Sequence, residues 1–256
     1  MTGLSFVMMT WRRGASMLEN SLWTLSHQTV PPDEIVLAEV SPEDSWHDET
    51  RRVCSQYPLV RLIEGHWSRF NISRGINCSI RATSPASSYV AATCMELLFS
   101  ENFVEVLLEK VGPRRINFAY CGSLPEGYVP ARDRSNWFSD CNAIVPNPPR
   151  WSPGAMLCSS RAWWYSIHGC DEARRPYSYP DVDIEDRARR SDLGVDNYHI
   201  QWSDAQVLHP YHPLSPLFYT ISGYLPDVNG VDNDVVRNPN GWGELEGDEP
   251  VRIPGT

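Results

Sequence analysis

The sequence predicts an α/β domain: a Rossmann-like, mostly parallel central sheet flanked by helices, formed from two fused halves. Two observations carry that expectation. Apolar strand-length runs alternate with helical stretches in the order strand, helix, strand, helix, strand, which implies parallel strands joined by right-handed crossovers. The 256 residues, 41% hydrophobic and 21% charged, suffice for a substantial core within one large unit.

Leu4-Ser5-Phe6-Val7-Met8-Met9 reads as a buried first strand ending at Thr10. From Gly14 the pattern turns helical, because Leu18, Leu22 and Leu25 fall at i, i+4 and i+7 and make one apolar face. Pro31-Pro32 stops that helix, since proline has no amide donor and clashes with the preceding turn. Residues 34–39 are the second strand, 41–57 a polar loop with room for a short helix, and 59–63 the third strand. A helix runs to about Ala82, residues 88–93 are the fourth strand, and 103–110 are helical. Residues 116–120 are a strand within the Pro-, Gly-, Arg- and Asn-rich stretch 111–150. Residues 151–167 read as a strand leading into a helix. From Pro213 onward, frequent Pro, Asn, Gly and Asp without periodicity predict a tail that is loosely ordered or wraps the surface. The expected divisions are 1–110, 111–214 and 215–256.

The net charge of −10 argues against nonspecific nucleic-acid binding, which needs basic surface to displace counterions. No apolar run reaches the ~18 residues of a transmembrane segment. Residues 1–10 lack the basic start of a signal peptide. Seven cysteines, at 54, 78, 94, 121, 141, 158 and 170, include no Cys-x-x-Cys pair. Their odd count and irregular spacing predict free thiols in a reducing, cytoplasmic setting rather than a zinc site.

Ligands of open α/β sheets bind at the carboxyl ends of the strands, where Thr10, Trp11, Arg12 and Glu39 fall. A second concentration of chemistry lies later. Asp181-Val182-Asp183-Ile184-Glu185-Asp186-Arg187 is densely acidic, Gly169-Cys170-Asp171-Glu172 precedes it, and His209-Pro210-Tyr211-His212 follows. An acidic helix start accounts for the first of these without any ligand. Carboxylates and imidazoles together also suit a divalent cation. Trp151, Trp163, Trp164 and Tyr165 supply either ligand-stacking surface or core, with core expected for at least two.

Several segments together resemble a family-2-like nucleotide-sugar glycosyltransferase of the GT-A fold. They are Ser5-Phe6-Val7 with Thr10-x-Arg12, Leu22-x-x-Leu25-x-x-Gln28, and Pro32-Asp33-Glu34-Ile35-Val36. Asn71-x-Ser73-Arg74-Gly75-x-Asn77, Gly169-Cys170-Asp171-Glu172 and Asp181-x-Asp183-x-x-x-Arg187 follow in the family's order. The resemblance spans roughly residues 4–212. Two positions depart from it: Cys94-Met95-Glu96 stands where the family's metal-binding Asp-x-Asp ends the fourth strand, and Pro180 stands where a Glu is common.

The resemblance implies a nucleotide-sugar-binding half over 1–110, an acceptor and catalytic half over 111–214, and a tail from 215. It implies a UDP-sugar donor, a glycan or other hydroxyl-bearing acceptor, and Mn²⁺ or Mg²⁺ as cofactor. Thr10, Arg12 and Glu39 would line the base pocket, and Glu39 would accept the uracil N3 proton. Arg74 and Asn77 would approach the donor, and Cys94 would take the less demanding Asp-x-Asp position. Glu96 with His209 or His212 would hold the metal. Asp181 would be the general base of an inverting transfer, supported by Asp183, with Asp171 and Glu172 at the sugar and acceptor end. Two alternatives remain: a degenerate relative that binds a nucleotide sugar or glycan without transfer, and a metal-dependent hydrolase.

Overall fold

In a computed structural model, β1 (Gly3–Thr10), β2 (Glu34–Glu39) and β3 (Val60–Glu64) lie side by side and parallel. The structure describes residues 3–128, 150–151, 155–173, 180–191, 193, 198–212 and 235–246. Helices α1 (Ala15–Ser26) and α2 (Asp44–Cys54) make the two crossovers. The helix expected only as an option within 41–57 is therefore formed, with Asp44 in its first turn and Arg51 and Arg52 in its last, where they suit the helix dipole. Helix α3 (Ile72–Ala82) begins at Asn71, whose side chain accepts a hydrogen bond from the Arg74 amide. It leads into β4 (Ser87–Thr93), parallel to β1 on the other side.

Short strand β5 (Leu98–Phe99), helix α4 (Phe103–Lys110), β6 (Ile116–Ser123), β7 (Arg150–Trp151) and β8 (Met156–Ser160) follow. Then come α5 (Arg161–Ser166), α6 (Pro180–Arg190), β9 (Tyr198–Ile200) and β10 (Val207–His209). The sheet order is β3-β2-β1-β4-β8-β6-β10-β5, with β7 and β9 pairing β6. Strand β8 enters antiparallel between β4 and β6 and so joins the two halves in one sheet. The mostly parallel α/β architecture is the one the sequence predicts.

Apolar side chains pack on both faces of the sheet. One layer joins Phe6, Met8, Leu18, Leu22 and Leu25 to Phe99 and Phe103, and the other joins Val7, Val36, Ile76, Phe118, Trp164 and Ile184. Trp163 and Trp164 are buried and belong to this core, as expected for two of the four aromatics; the Trp151 side chain lies outside the described residues. Gly75 lets α3 approach β1 closely, since a Cβ there would stand 2.8 Å from the Met9 side chain.

Several residues of the resemblance motifs brace the fold. Gln28 is buried, donates to the Thr24 and Ser100 carbonyls and accepts from the Val104 amide, tying α1 to β5 and α4. Asp33 accepts from the Leu4 amide, and Glu34 accepts from the Ser5 hydroxyl and the Ser84 amide. These carboxylates fasten the amino ends of β1, β2 and β4, the pole opposite the strand ends where ligands bind.

Within the stretch expected to be loose or surface-wrapping, residues 235–246 run along α3 and the turn after α5. Trp242 and Arg237 are buried there. Trp67 donates to the Leu245 carbonyl, and Arg81 to the Trp242 carbonyl. The six described cysteines are free thiols; Cys141 lies outside the described residues.

Candidate metal and donor site

The carboxyl ends of β1, β4 and β10 bring three separate segments together. Strand β5 pairs antiparallel with β10, setting Phe99 opposite Val207 and Leu98 opposite Leu208. Glu96 lies in the turn just before β5, and His209 and His212 lie at and just after the end of β10. His209 Nε2 lies 3.7 Å and His212 Nε2 3.5 Å from Glu96 Oε1. Among the described residues this is the one group of three whose His, Cys or carboxylate ligand atoms all lie within 4.8 Å of one another.

The electrostatics of the trio suit a cation. Burial raises the Glu96 carboxyl pKa, but the His212 hydrogen bond and the charges of His209 and Arg13 outweigh it and leave Glu96 below its ordinary value. Burial lowers the His209 pKa, with Glu96 opposing. Both shifts run toward the protonation state that a divalent ion requires, an ionised carboxylate and a neutral imidazole. One oxygen and two nitrogen donors fit Mn²⁺ better than Mg²⁺, which favours oxygen.

Cys94 and Asp181 influence one another electrostatically near this site. Cys94 lies close enough to Glu96, Asp181, Cys121 and Arg13 to feel their charges. Burial is the main reason its thiol sits well above the ordinary value, with Glu96 and Asp181 adding to the rise. Asp181 lies in the first turn of α6.

Arg13 is the residue that sequence reasoning missed. Arg12 adopts φ 52°, its amide held by the Ser41 hydroxyl, and its guanidinium turns outward to pair with Glu43. That left-handed step directs Arg13 inward instead, where Nη1 lies 3.3 Å from His212 Nδ1. The only available signal was that Arg12 and Arg13 are adjacent, and neighbouring side chains rarely share a direction.

Of the other expected donor residues, Glu39 and Arg74 are engaged within the fold. Glu39 is buried at the end of β2, where its oxygens accept from the Ser41 amide and the Thr50 hydroxyl. Thr10 is buried, and its hydroxyl has no hydrogen-bond partner among the described residues. Arg74 stacks on Trp67 and donates to the Glu244 and Glu246 carbonyls.

Asn77 is fully buried; it donates to the Cys170 carbonyl and to Glu172, and accepts from the Cys170 amide. Glu172 also accepts from the Gly243 amide. Gly169, at φ 65°, passes so close to Asn77 that a Cβ would collide with its side-chain oxygen. Asp183 is buried against Arg187 at 2.9 Å, and Arg237 stands 3.7 Å from Asp171 and 3.8 Å from Asp183.

No family model and no curated protein matches the chain. Among solved structures, one titled as GalNAc-T7 with UDP, GalNAc and Mn²⁺ matches with a TM-score of 0.60 at 13% identity. The match covers 85% of this chain and 45% of that one, so this chain spans less than half the length of its neighbour. The fold is that of a GT-A glycosyltransferase. No helix among the described residues is long and apolar enough to cross a membrane.

Proposed function

We propose that this chain is a metal-dependent glycosyltransferase that moves a sugar from a UDP-sugar to an acceptor hydroxyl with inversion. The observation that carries the reading is the convergence of Glu96, His209 and His212 with Arg13 at the carboxyl pole of the sheet. The neighbouring structure with UDP, GalNAc and Mn²⁺ supports the same donor class.

Glu96, His209 and His212 would hold the cation. When bound, it supplies positive charge beside the departing diphosphate. Arg13 adds a second, fixed positive charge at the same pole, suited to a phosphate oxygen. Asp181 removes the proton from the acceptor hydroxyl as its oxygen bonds to the anomeric carbon. The bond from that carbon to the diphosphate oxygen breaks, and UDP leaves with the electron pair. Thr10, its buried hydroxyl still open to a partner, would line the base pocket at the end of β1. Asp183 and Arg187 support the α6 turn, while Asn77, Asp171 and Glu172 shape the sugar and acceptor end.

Cys94 favours one second reading, a relative that binds a nucleotide sugar without transfer, since a thiol replaces a carboxylate beside the metal ligands. Incubation with a panel of UDP-sugars and Mn²⁺, monitored for UDP release, separates the two. Release from at least one donor is expected. Asp181→Asn should lower it ~10²–10⁴-fold while UDP affinity stays within a few-fold. Near-wild-type turnover in that variant would place the base elsewhere, and a product retaining its anomeric configuration by NMR would overturn the inverting assignment.

A further inference from the structure

We infer that Arg237 is a positioning residue for the transfer: it links the turn after α5 to the first turn of α6 and so sets the placement of Asp181. The inference rests on the transferase reading above. Arg237 comes from a segment well beyond the metal ligands in sequence, yet its guanidinium lies between two carboxylates. Nε stands 3.7 Å from Asp171 Oδ2, and Nη2 stands 3.8 Å from Asp183 Oδ1. Asp171 belongs to the turn and Asp183 to the helix, two residues from Asp181.

The segment around Arg237 holds the turn from the other side as well. The Arg237 amide donates to the Ile167 carbonyl at 3.2 Å. Asn238, at φ 49°, donates to the His168 and Cys170 carbonyls and accepts from the Glu172 amide. Arg187 closes the circuit from α6. It pairs with Asp183 and donates to the Ile167, Gly169 and Val235 carbonyls.

This arrangement differs from a simple tether. A tether needs only the backbone bonds and the Asn238 contacts, which already fix the segment to the turn. The Arg237 side chain adds a buried charged link from the turn to α6, and α6 carries the proposed base. A displacement of about 1 Å in a reacting group lowers turnover on the order of 100-fold, so a link of this kind acts on rate rather than on donor binding.

The test compares Arg237→Met and Arg237→Lys with wild type. It reads UDP release from the best UDP-sugar of the panel with Mn²⁺, and UDP and Mn²⁺ affinity by titration. Arg237→Met should lose kcat by about 10- to 100-fold with KM for the donor and both affinities within about twofold. Arg237→Lys should recover part of kcat. Combining Arg237→Met with Asp183→Asn should lower kcat by less than the product of the two single effects, because both break one link.

Unchanged kcat, or a loss matched by the fall in folded fraction, overturns the inference. If Arg237→Met does not fold, Arg237→Lys decides by the same criteria, with wild-type kcat refuting. Wild-type protein that releases no UDP from any donor overturns the transferase reading and this role with it. Active wild type with an indifferent Arg237 variant overturns this role alone.

Discussion

Replacing Arg187 by methionine is a sharp test of how the acidic α6 segment is built. The Arg187 side chain is fully buried, and Asp183, its partner at 2.9 Å, is 2% exposed. Arg187 also donates to the Ile167 and Val235 carbonyls at 3.2 Å and to Gly169 at 2.7 Å. Methionine fills much of the volume but leaves the Asp183 charge buried without its 2.9 Å partner, and Arg237 stands farther off at 3.8 Å. Removing one partner of a buried pair costs about 3–5 kcal/mol, because the remaining charge loses its compensation. For a chain of this size, 1 kcal/mol shifts Tm by about 2–4 °C, so Arg187→Met should lower Tm by roughly 6–20 °C.

Circular dichroism melting, paired with urea titration at unchanged m-value, measures the loss. Arg187→Met with Asp183→Leu should recover part of it, since both charges are then gone. Recovery stays partial because the Gly169 and Val235 carbonyls lose the arginine as donor, while Ile167 keeps the Arg237 amide. A loss below about 1 kcal/mol would mean that water reaches the pair, since exposed pairs are worth that little.

Four further outcomes follow from the metal and donor site. UDP with Mn²⁺ should raise Tm, by about 2.7 kcal/mol of stability at a hundred times the dissociation constant, and UDP with a chelator should do so much less; equal shifts would remove the metal from the argument. Cys94→Asp should tighten Mn²⁺ binding to the UDP-saturated protein tenfold or more, from ~1.5–3 kcal/mol for a charge-assisted contact, and Glu96→Gln should nearly abolish it. Titration calorimetry decides both, and indifference to both changes would move the metal elsewhere. Mn²⁺ affinity should hold at pH 7, because Glu96 is shifted down and His209 is shifted down by burial, so carboxylate and imidazole are both ready for a cation. It should fall only once the pH drops through the lowered His209 value, below the ordinary histidine value of about 6.5, by roughly tenfold per unit as that imidazole takes a proton, and affinity that never falls on acidification would exclude this ligand.

The order of strands and helices was legible because periodicity and helix stops are local. Leu18, Leu22 and Leu25 share a face whatever lies opposite them, and Pro31-Pro32 ends α1 without tertiary help. The metal trio was also legible as residue types, since Glu96 follows the fourth strand and His209 and His212 follow the acidic segment. Only the tertiary structure decided that the three converge, because that depends on the antiparallel register of β5 against β10, two strands too short to read from the sequence.

The donor side shows the same division. A motif names residue types in order but not the competition for their hydrogen bonds. Glu39 and Arg74 stand where the resemblance puts donor contacts, yet the fold engages both, Glu39 through Ser41 and Thr50 and Arg74 through the Glu244 and Glu246 carbonyls. A single left-handed residue, Arg12, exchanged an outward arginine for the inward Arg13. The sequence by itself determined the α/β fold and the kinds of groups gathered at one pole. The tertiary structure decided which atoms face one another, because backbone dihedrals and strand register are set by packing over the whole domain rather than by neighbours in the chain.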